Sequence, residues 1–368
     1  MKANRRSMLK QVGLGIAGLG IAQLKTFALP ETRHFTFTPP GDSPIRLSSN
    51  ENPYGPSPSA RTAMTESISY SNRYSWNITT DLISAIAKKN NVGYENILVG
   101  AGSTGILDLA VQSFAFQKGS FIVANPSYTN WAKTAERMGL KKISVPLTSD
   151  KRHDLAAMLT AIEPDTRMIY VCNPNNPTGT ICENNVLIPF IKEATKKVAV
   201  MIDEAYIDFT GQSSVSNLTV ENKNLIVVKT FSKIYGLAGA RIGYAVANSE
   251  TIKQLSQLQS WANGGVSVAS RAGAIASLQD DEFVKQCYDK NEKAKAYTVE
   301  QLRQLNIDSI PSHTNFIYFS LANYKKDFFE QLKSSNIQGT GIYEENGKWT
   351  RITVGTMEEM QQFIAAIK

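Results

Sequence analysis

Five short apolar runs, rich in β-branched residues, restrict the folds open to this chain more than any other feature: residues 121–124, 168–172, 198–202, 225–228 and 242–246. Runs of this length and composition predict buried strands. A sixth short strand is predicted at 96–99. Leu82, Ile83, Ile86 and Ala87 recur at helical spacing after Asp81, and Leu107, Ala110, Val111 and Phe114 do the same within 106–116. Apolar strands alternating with helices predict an α/β sheet whose ligands sit at the carboxyl ends of the strands. From about Trp261 the chain turns more helical and charged. One long amphipathic helix is expected at 283–305, short strands at 315–319 and 351–354, and a closing helix at 358–367. That is a smaller α+β lobe. The expected division is an N-terminal leader at 1–28, an irregular proline-marked arm at 29–60, a large domain at 61–265 and a small one at 266–368.

The chemistry collects at the predicted strand ends. Thr230, Ser232, Lys233 and Arg241 lie between two strands on a loop with glycines at 236 and 239. Hydroxyls, a lysine and an arginine there suit an anion beside an amine. A lysine near apolar walls and a second cation has its pKa lowered, which frees the amine to form a Schiff base. The plain alternative is a solvated lysine on a loop that holds nothing. The run Gly100-Ala101-Gly102-Ser103-Thr104-Gly105 joins a strand to a helix, the layout that aims backbone N–H groups at a phosphate; it also reads as a simple tight turn. Tyr128, just after a strand, can stack on a flat cofactor or fill core or surface. Residues 173–179 are too rich in proline for helix or strand, and Asn176 lies among them. Asp203 ends an apolar strand and is costly to bury unpaired. A cationic ring nitrogen or a helix N-cap would answer it, and Tyr206 follows three residues later.

Charge and cysteine content narrow the classes. Residues 1–28 hold Lys2, Arg5, Arg6, Lys10 and Lys25 and no acid, which leaves 34 basic against 32 acidic residues in the rest. A near-balanced body gives no argument for a nucleic-acid surface. Three cysteines without metal-ligand spacing and only three histidines argue against a disulfide framework, a zinc site or a histidine-based triad. The basic start with paired arginines, the uncharged run at 12–22 and the small residues Thr26 and Ala28 have the layout of a cleavable twin-arginine export signal. The expected location is periplasmic, by way of the twin-arginine export machinery; a cytoplasmic protein with a basic N-terminus is the alternative.

Taken together, a lysine for an imine, an aspartate for a ring nitrogen, a tyrosine and an asparagine for a phenolic oxygen, and hydroxyls with an arginine for a phosphate describe a site for pyridoxal 5'-phosphate used as an electron sink. On the stretches SSNENPYGPSP, ENILVGAGST, CNPNNPTG, DEAYIDF, TFSKIYGLAGARIGY and RITVGT, residues 45–368 resemble the fold-type I, class I/II aminotransferases, and among them the histidinol-phosphate aminotransferase branch. The resemblance implies a mostly parallel mixed sheet between helices in the large domain. It makes Lys233 the Schiff-base lysine and the acid/base that moves the substrate proton, and pairs Asp203 with the pyridine nitrogen. Tyr206 and Asn176 would meet the phenolic oxygen, while Gly102, Ser103, Thr104, Thr230, Ser232 and Arg241 would lie at the phosphate end and Tyr128 on the ring. Arg351, with Asn176, would bind the substrate carboxylate. It also implies a homodimer with shared sites, in which Tyr54 reaches the neighbouring subunit's cofactor.

There are two departures from the family pattern, and the first shapes the expected reaction. No basic residue occurs between Asn336 and Gly341, where an arginine for a substrate phosphate is usual, and Thr104-Gly105 replaces an acidic pair. The expected activity is therefore ping-pong transfer of an amino group between an unphosphorylated α-amino acid and a 2-oxo acid. Histidinol-phosphate transamination, amino-acid oxidation or decarboxylation on the same scaffold, and a protein that binds the cofactor without turnover are the alternatives.

Overall fold

The computed structural model describes residues 43–368. The predicted export signal and the first part of the arm lie outside them. In chain order the strands are β1 (Ile45–Arg46), β2 (Ile97–Gly100), β3 (Gly119–Asn125), β4 (Leu140–Pro146), β5 (Thr166–Cys172), β6 (Ala199–Asp203), β7 (Leu225–Thr230), β8 (Gly243–Ala247), β9 (Ser309–Ile310), β10 (Phe316–Ser320), β11 (Ile337–Gln338), β12 (Ile342–Glu344) and β13 (Trp349–Thr353).

Seven strands form one sheet in the order β2-β8-β7-β6-β5-β3-β4. Strands β3 to β7 run parallel, and β8 is antiparallel to both β7 and β2. The predicted class, a mostly parallel mixed sheet between helices, is what the chain forms. Period-two alternation sends Ile169, Val171, Val200, Ile202 and Val227 into the core on one face. Met168, Tyr170, Met201, Ile226 and Val228 enter the core on the other. Helices Trp76–Asn90 and Asn184–Ala194 cover the first face; Ser103–Phe114 and Ser249–Leu258 cover the second. Each buried Val, Leu or Ile contributes about 1.5–3 kcal/mol relative to exposure, which fixes the register at the strand ends.

The second sheet has the order β12-β13-β10-β9 and is antiparallel. It packs with helices Asp281–Gln304 and Met357–Ile367 around Phe319, Leu302 and Phe363. Strand β1 pairs in parallel with β11, and Leu47 is buried in this smaller core. The Thr353 amide donates to the Leu47 carbonyl at 2.8 Å. Residues 49–51 are thereby laid along the cavity described below.

Three local expectations need correction. Pro58 is the first residue of a helix, Pro58–Ser67, with Ser57 as its N-cap, so the irregular arm stops there. The helix read from Asp81 starts at Trp76. Strand β4 had no counterpart in the sequence reading: Lys141 and Lys142 are exposed on this edge strand and break the apolar run. Among the described residues no helix is long and apolar enough to cross a membrane.

Candidate active site

A cavity of about 710 Å³ opens at the carboxyl ends of β5, β6 and β7. At one end stands the amino terminus of helix Ser103–Phe114, whose first turn has no side-chain cap. Gly102 precedes it at φ +83, and a Cβ there would lie 2.4 Å from the Arg241 guanidinium. Gly243, the first residue of β8, permits a second close approach, since its Cβ would stand 2.5 Å from the Ser103 nitrogen. Thr230 accepts from the Ser232 amide at 3.1 Å and its hydroxyl meets that of Ser232 at 3.0 Å. Backbone N–H groups, two hydroxyls and a guanidinium, drawn together where only glycine fits, make a cup for a phosphate dianion.

At the middle of the cavity Asp203 is buried at the end of β6. Its hydrogen bonds come from neutral donors, the Tyr170 hydroxyl at 2.8 Å and the Ala205 amide at 3.1 Å. Burial raises its pKa to about 6; these hydrogen bonds and Lys233 pull the other way. A buried carboxylate held by neutral donors suits a ring N–H⁺ better than a helix cap. The Lys233 amine donates to the Ser49 carbonyl at 3.1 Å and lies 5.7 Å from the centre of the Tyr206 ring. Burial first, then the charge of Arg351, lowers it from 10.5 to about 8. That is the range in which an amine is partly free at neutral pH. The Tyr206 hydroxyl accepts from Asn50 at 2.9 Å and from Asn176 at 3.5 Å. Burial holds its pKa above the ordinary value.

Arg351, on β13, closes the far side. It donates to the Asn176 side chain and to the Ser48 carbonyl, each at 2.5 Å, while its buried Nε has no partner. The rings of Phe316 and Tyr343 flank it at 5.2 and 5.4 Å. A guanidinium so fixed, with one N–H unsatisfied, is set for an anionic ligand group. The Thr104 hydroxyl meets the Tyr128 hydroxyl at 2.9 Å, which gives the departure at position 104 a physical role.

Eleven of the predicted residues line this one cavity: Ser103, Thr104, Tyr128, Asn176, Asp203, Tyr206, Thr230, Ser232, Lys233, Arg241 and Arg351. Gly102 shapes it from behind. Tyr54 lies outside it, with the Lys290 amine 4.6 Å from its ring centre. Sequence reasoning missed Tyr170, Asn50 and Tyr343. Asn50 stands in a polar stretch already expected to line a site or an interface, whereas Tyr170 is hidden in an apolar strand and Tyr343 in a short irregular one.

Comparison with known proteins places this geometry. The family model described as aminotransferase class I and II matches residues 42–367. A histidinol-phosphate aminotransferase of Moorella thermoacetica is 36% identical over 329 residues, 88% of this chain and 84% of that protein. One from Caldicellulosiruptor saccharolyticus is 35% identical over 88% of this chain and 91% of its own. The crystal structure of histidinol-phosphate aminotransferase from Sinorhizobium meliloti in complex with pyridoxal-5'-phosphate superposes with a TM-score of 0.81 at 25% identity. It covers 94% of this chain and 97% of that one.

Proposed function

Because the chain belongs to the class I and II aminotransferases, in their histidinol-phosphate aminotransferase-like branch, we propose that its amino donor is histidinol phosphate and its acceptor a 2-oxo acid, with 2-oxoglutarate the first to test. Pyridoxal-phosphate-dependent amino transfer between an amino acid and a 2-oxo acid is the activity of this scaffold. The residues present fit that cofactor. The Ser103 helix terminus, Thr230, Ser232 and Arg241 would hold its phosphate, Asp203 its ring nitrogen, and Tyr206 with Asn176 its phenolic oxygen. When bound it supplies an aldehyde for the amine and a ring that accepts the electron pair released at Cα. Lys233 then takes and returns the Cα proton, which its lowered pKa allows near neutrality. Asp203, as a carboxylate, would keep a proton on the ring nitrogen. Tyr128, which lines the cavity, would cover the ring and keep water from it.

Arg351 carries the donor reading. It lines the same cavity as Lys233 and Arg241, and its buried Nε has no partner of its own. In a ping-pong route one guanidinium can meet the phosphate of the amine in one half-reaction and the carboxylate of the acid in the other. The donor expected from sequence was unphosphorylated because residues 336–341 contain no base. The relatives weigh against that inference, and Arg351 is the cation left to meet a donor phosphate. The cavity cations are nevertheless only Lys233, Arg241 and Arg351 among the described residues, which keeps an unphosphorylated donor as the second reading.

The test is the half-reaction followed by absorbance under anaerobic conditions, with histidinol phosphate, histidinol and free amino acids as donors. Conversion of the cofactor to its amine form by histidinol phosphate, with kcat/KM at least about tenfold above histidinol, is expected. A preference for histidinol or an amino acid overturns the donor; oxygen uptake or carbon dioxide release in place of amine transfer overturns the transamination.

The assembly is proposed to be a homodimer with shared sites. Tyr54, which does not line its own chain's cavity, supports it, as do the exposed rings of Tyr74, Trp76 and Trp261, packed within 4.6–6.4 Å of one another. Export by the twin-arginine route to the periplasm is proposed from Arg5-Arg6 and the apolar run after them. N-terminal sequencing of the protein from periplasmic and cytoplasmic fractions tests it, and intact Met1 found only in the cytoplasm would refute it.

A further inference from the structure

Tyr343, which flanks Arg351, sits on β12, three residues long and shifted in register against β13 between Ile342 and Glu344. Strand pairing of that kind fixes a side chain poorly. The neighbouring Glu344 is held much better. Its carboxylate accepts from the Lys151 amine at 2.8 and 3.0 Å and from the Tyr318 hydroxyl at 2.7 Å. Lys151 also lies 4.9 Å from the Trp349 ring centre, and Trp349 stacks on Tyr318. The side chains of the ion pair are 18% and 23% exposed, so solvent screens them only in part. Lys151 belongs to a loop attached to the large sheet, and its carbonyl accepts from the Thr180 hydroxyl at 2.7 Å. Thr180 closes the turn that carries Asn176, the acceptor of the Arg351 guanidinium.

The contacts form a ring. It runs from the Asn176 turn to Arg351, across to Tyr343 and Glu344, through Lys151, and back to the turn at Thr180. We propose that the Lys151–Glu344 pair is a positioning device for the substrate's anionic group: it pins Tyr343 against Arg351 and so fixes the guanidinium, without touching the reacting atoms. Substrate affinity should depend on this pair far more than the chemical step does, because Lys233 and Asp203 stand on other elements. The proposal rests on Arg351 receiving the anion. That holds for the carboxylate of the 2-oxo acid whichever donor is right, so the measurement uses the acceptor and survives a wrong donor.

The experiment starts from protein loaded with the amine form of the cofactor, so that no donor is needed. It compares KM and kcat for the half-reaction with 2-oxoglutarate in the unchanged chain, its Glu344→Gln and Lys151→Met variants, the double variant and the charge exchange Lys151→Glu with Glu344→Lys. Each single change is expected to raise KM about tenfold, the loss of one charge-assisted hydrogen-bonded pair, while kcat falls less than about twofold. The double variant should cost no more than either single, and the exchange should recover part of the loss. Cofactor affinity, measured by titration of the cofactor-free protein, should stay constant and separates positioning from general damage to the fold. Unchanged KM in the single variants overturns the proposal, as does a fall in kcat at constant KM. Additive costs, or loss of cofactor affinity in step with KM, also overturn it.

Discussion

Asp203 shows how one residue's surroundings set its task. Tyr170 and Ala205 hold the carboxylate without neutralising it, which leaves its charge available for the ring nitrogen it is proposed to meet. Replacing Asp203 with Asn keeps the shape and removes the charge. kcat for the half-reaction should fall on the order of 10²- to 10³-fold, as when a preorganised electrostatic partner is lost. Tyr170→Phe takes away one hydrogen bond to a charged group, about 1.5–3 kcal/mol, so a smaller loss in kcat and a higher apparent pKa in the pH–rate profile are expected. Lys233 gives a second prediction. Its amine is lowered to about 8 from 10.5, chiefly by burial. Between those values the unfolded chain holds a proton that the cofactor-free folded protein has released, so the folded form gains stability as pH rises from about 8 to 10.5. It loses that gain as pH falls back towards 8. Lys233→Met should therefore stabilise the cofactor-free protein most below pH 8, with the difference in urea midpoint shrinking towards pH 10.5.

Among the elements, the junction of β8 with helix Ser103–Phe114 is the most exposed to a single change. Gly243→Ala would press a methyl group into the Ser103 amide. Cofactor affinity should drop with that shift, measured by titration of the cofactor-free protein, and the unfolding midpoint should fall as well. On the opposite face of the sheet from that helix, Lys229 of β7 and Glu204, the residue after β6, form a buried pair at 3.5 Å, with Asn90, Ser214 and the Val215 amide around it. Lys229→Met leaves the Glu204 charge uncompensated and should cost about 3–5 kcal/mol in urea unfolding. These elements were unequally legible in the sequence. Strands β3, β5, β6, β7 and β8 announced themselves because both faces of the sheet are covered and their side chains are apolar on both sides. Strand β4 did not, as its edge position tolerates exposed lysines. Lys233 and Asp203 could be named because their chemistry is scarce in such settings, whereas Arg351 was reached only through the resemblance of RITVGT to the family pattern. Tyr170 could not, since a tyrosine in an apolar strand reads as packing until the carboxylate beside it is located.

At the scale of the molecule, the exposed cluster of Tyr74, Trp76 and Trp261 is more aromatic surface than a free monomer is expected to leave in water. Light scattering should give twice the chain mass, and Trp261→Asp should halve it and lower activity with it. A monomeric wild type that is fully active would end the shared-site reading. One further consequence follows from the bonds that Arg351 makes to Ser48, and Thr353 to Asn50, each across 303 positions. A ribosome making about 5–20 residues per second releases the early partner on the order of tens of seconds before the late one. The large sheet has its strands well before that, but the wall of the cavity waits for the closing strand of the chain. Loading with cofactor thus becomes a property of the finished polypeptide, and a chain cut short before Arg351 has the sheet without the pocket that would make it an enzyme.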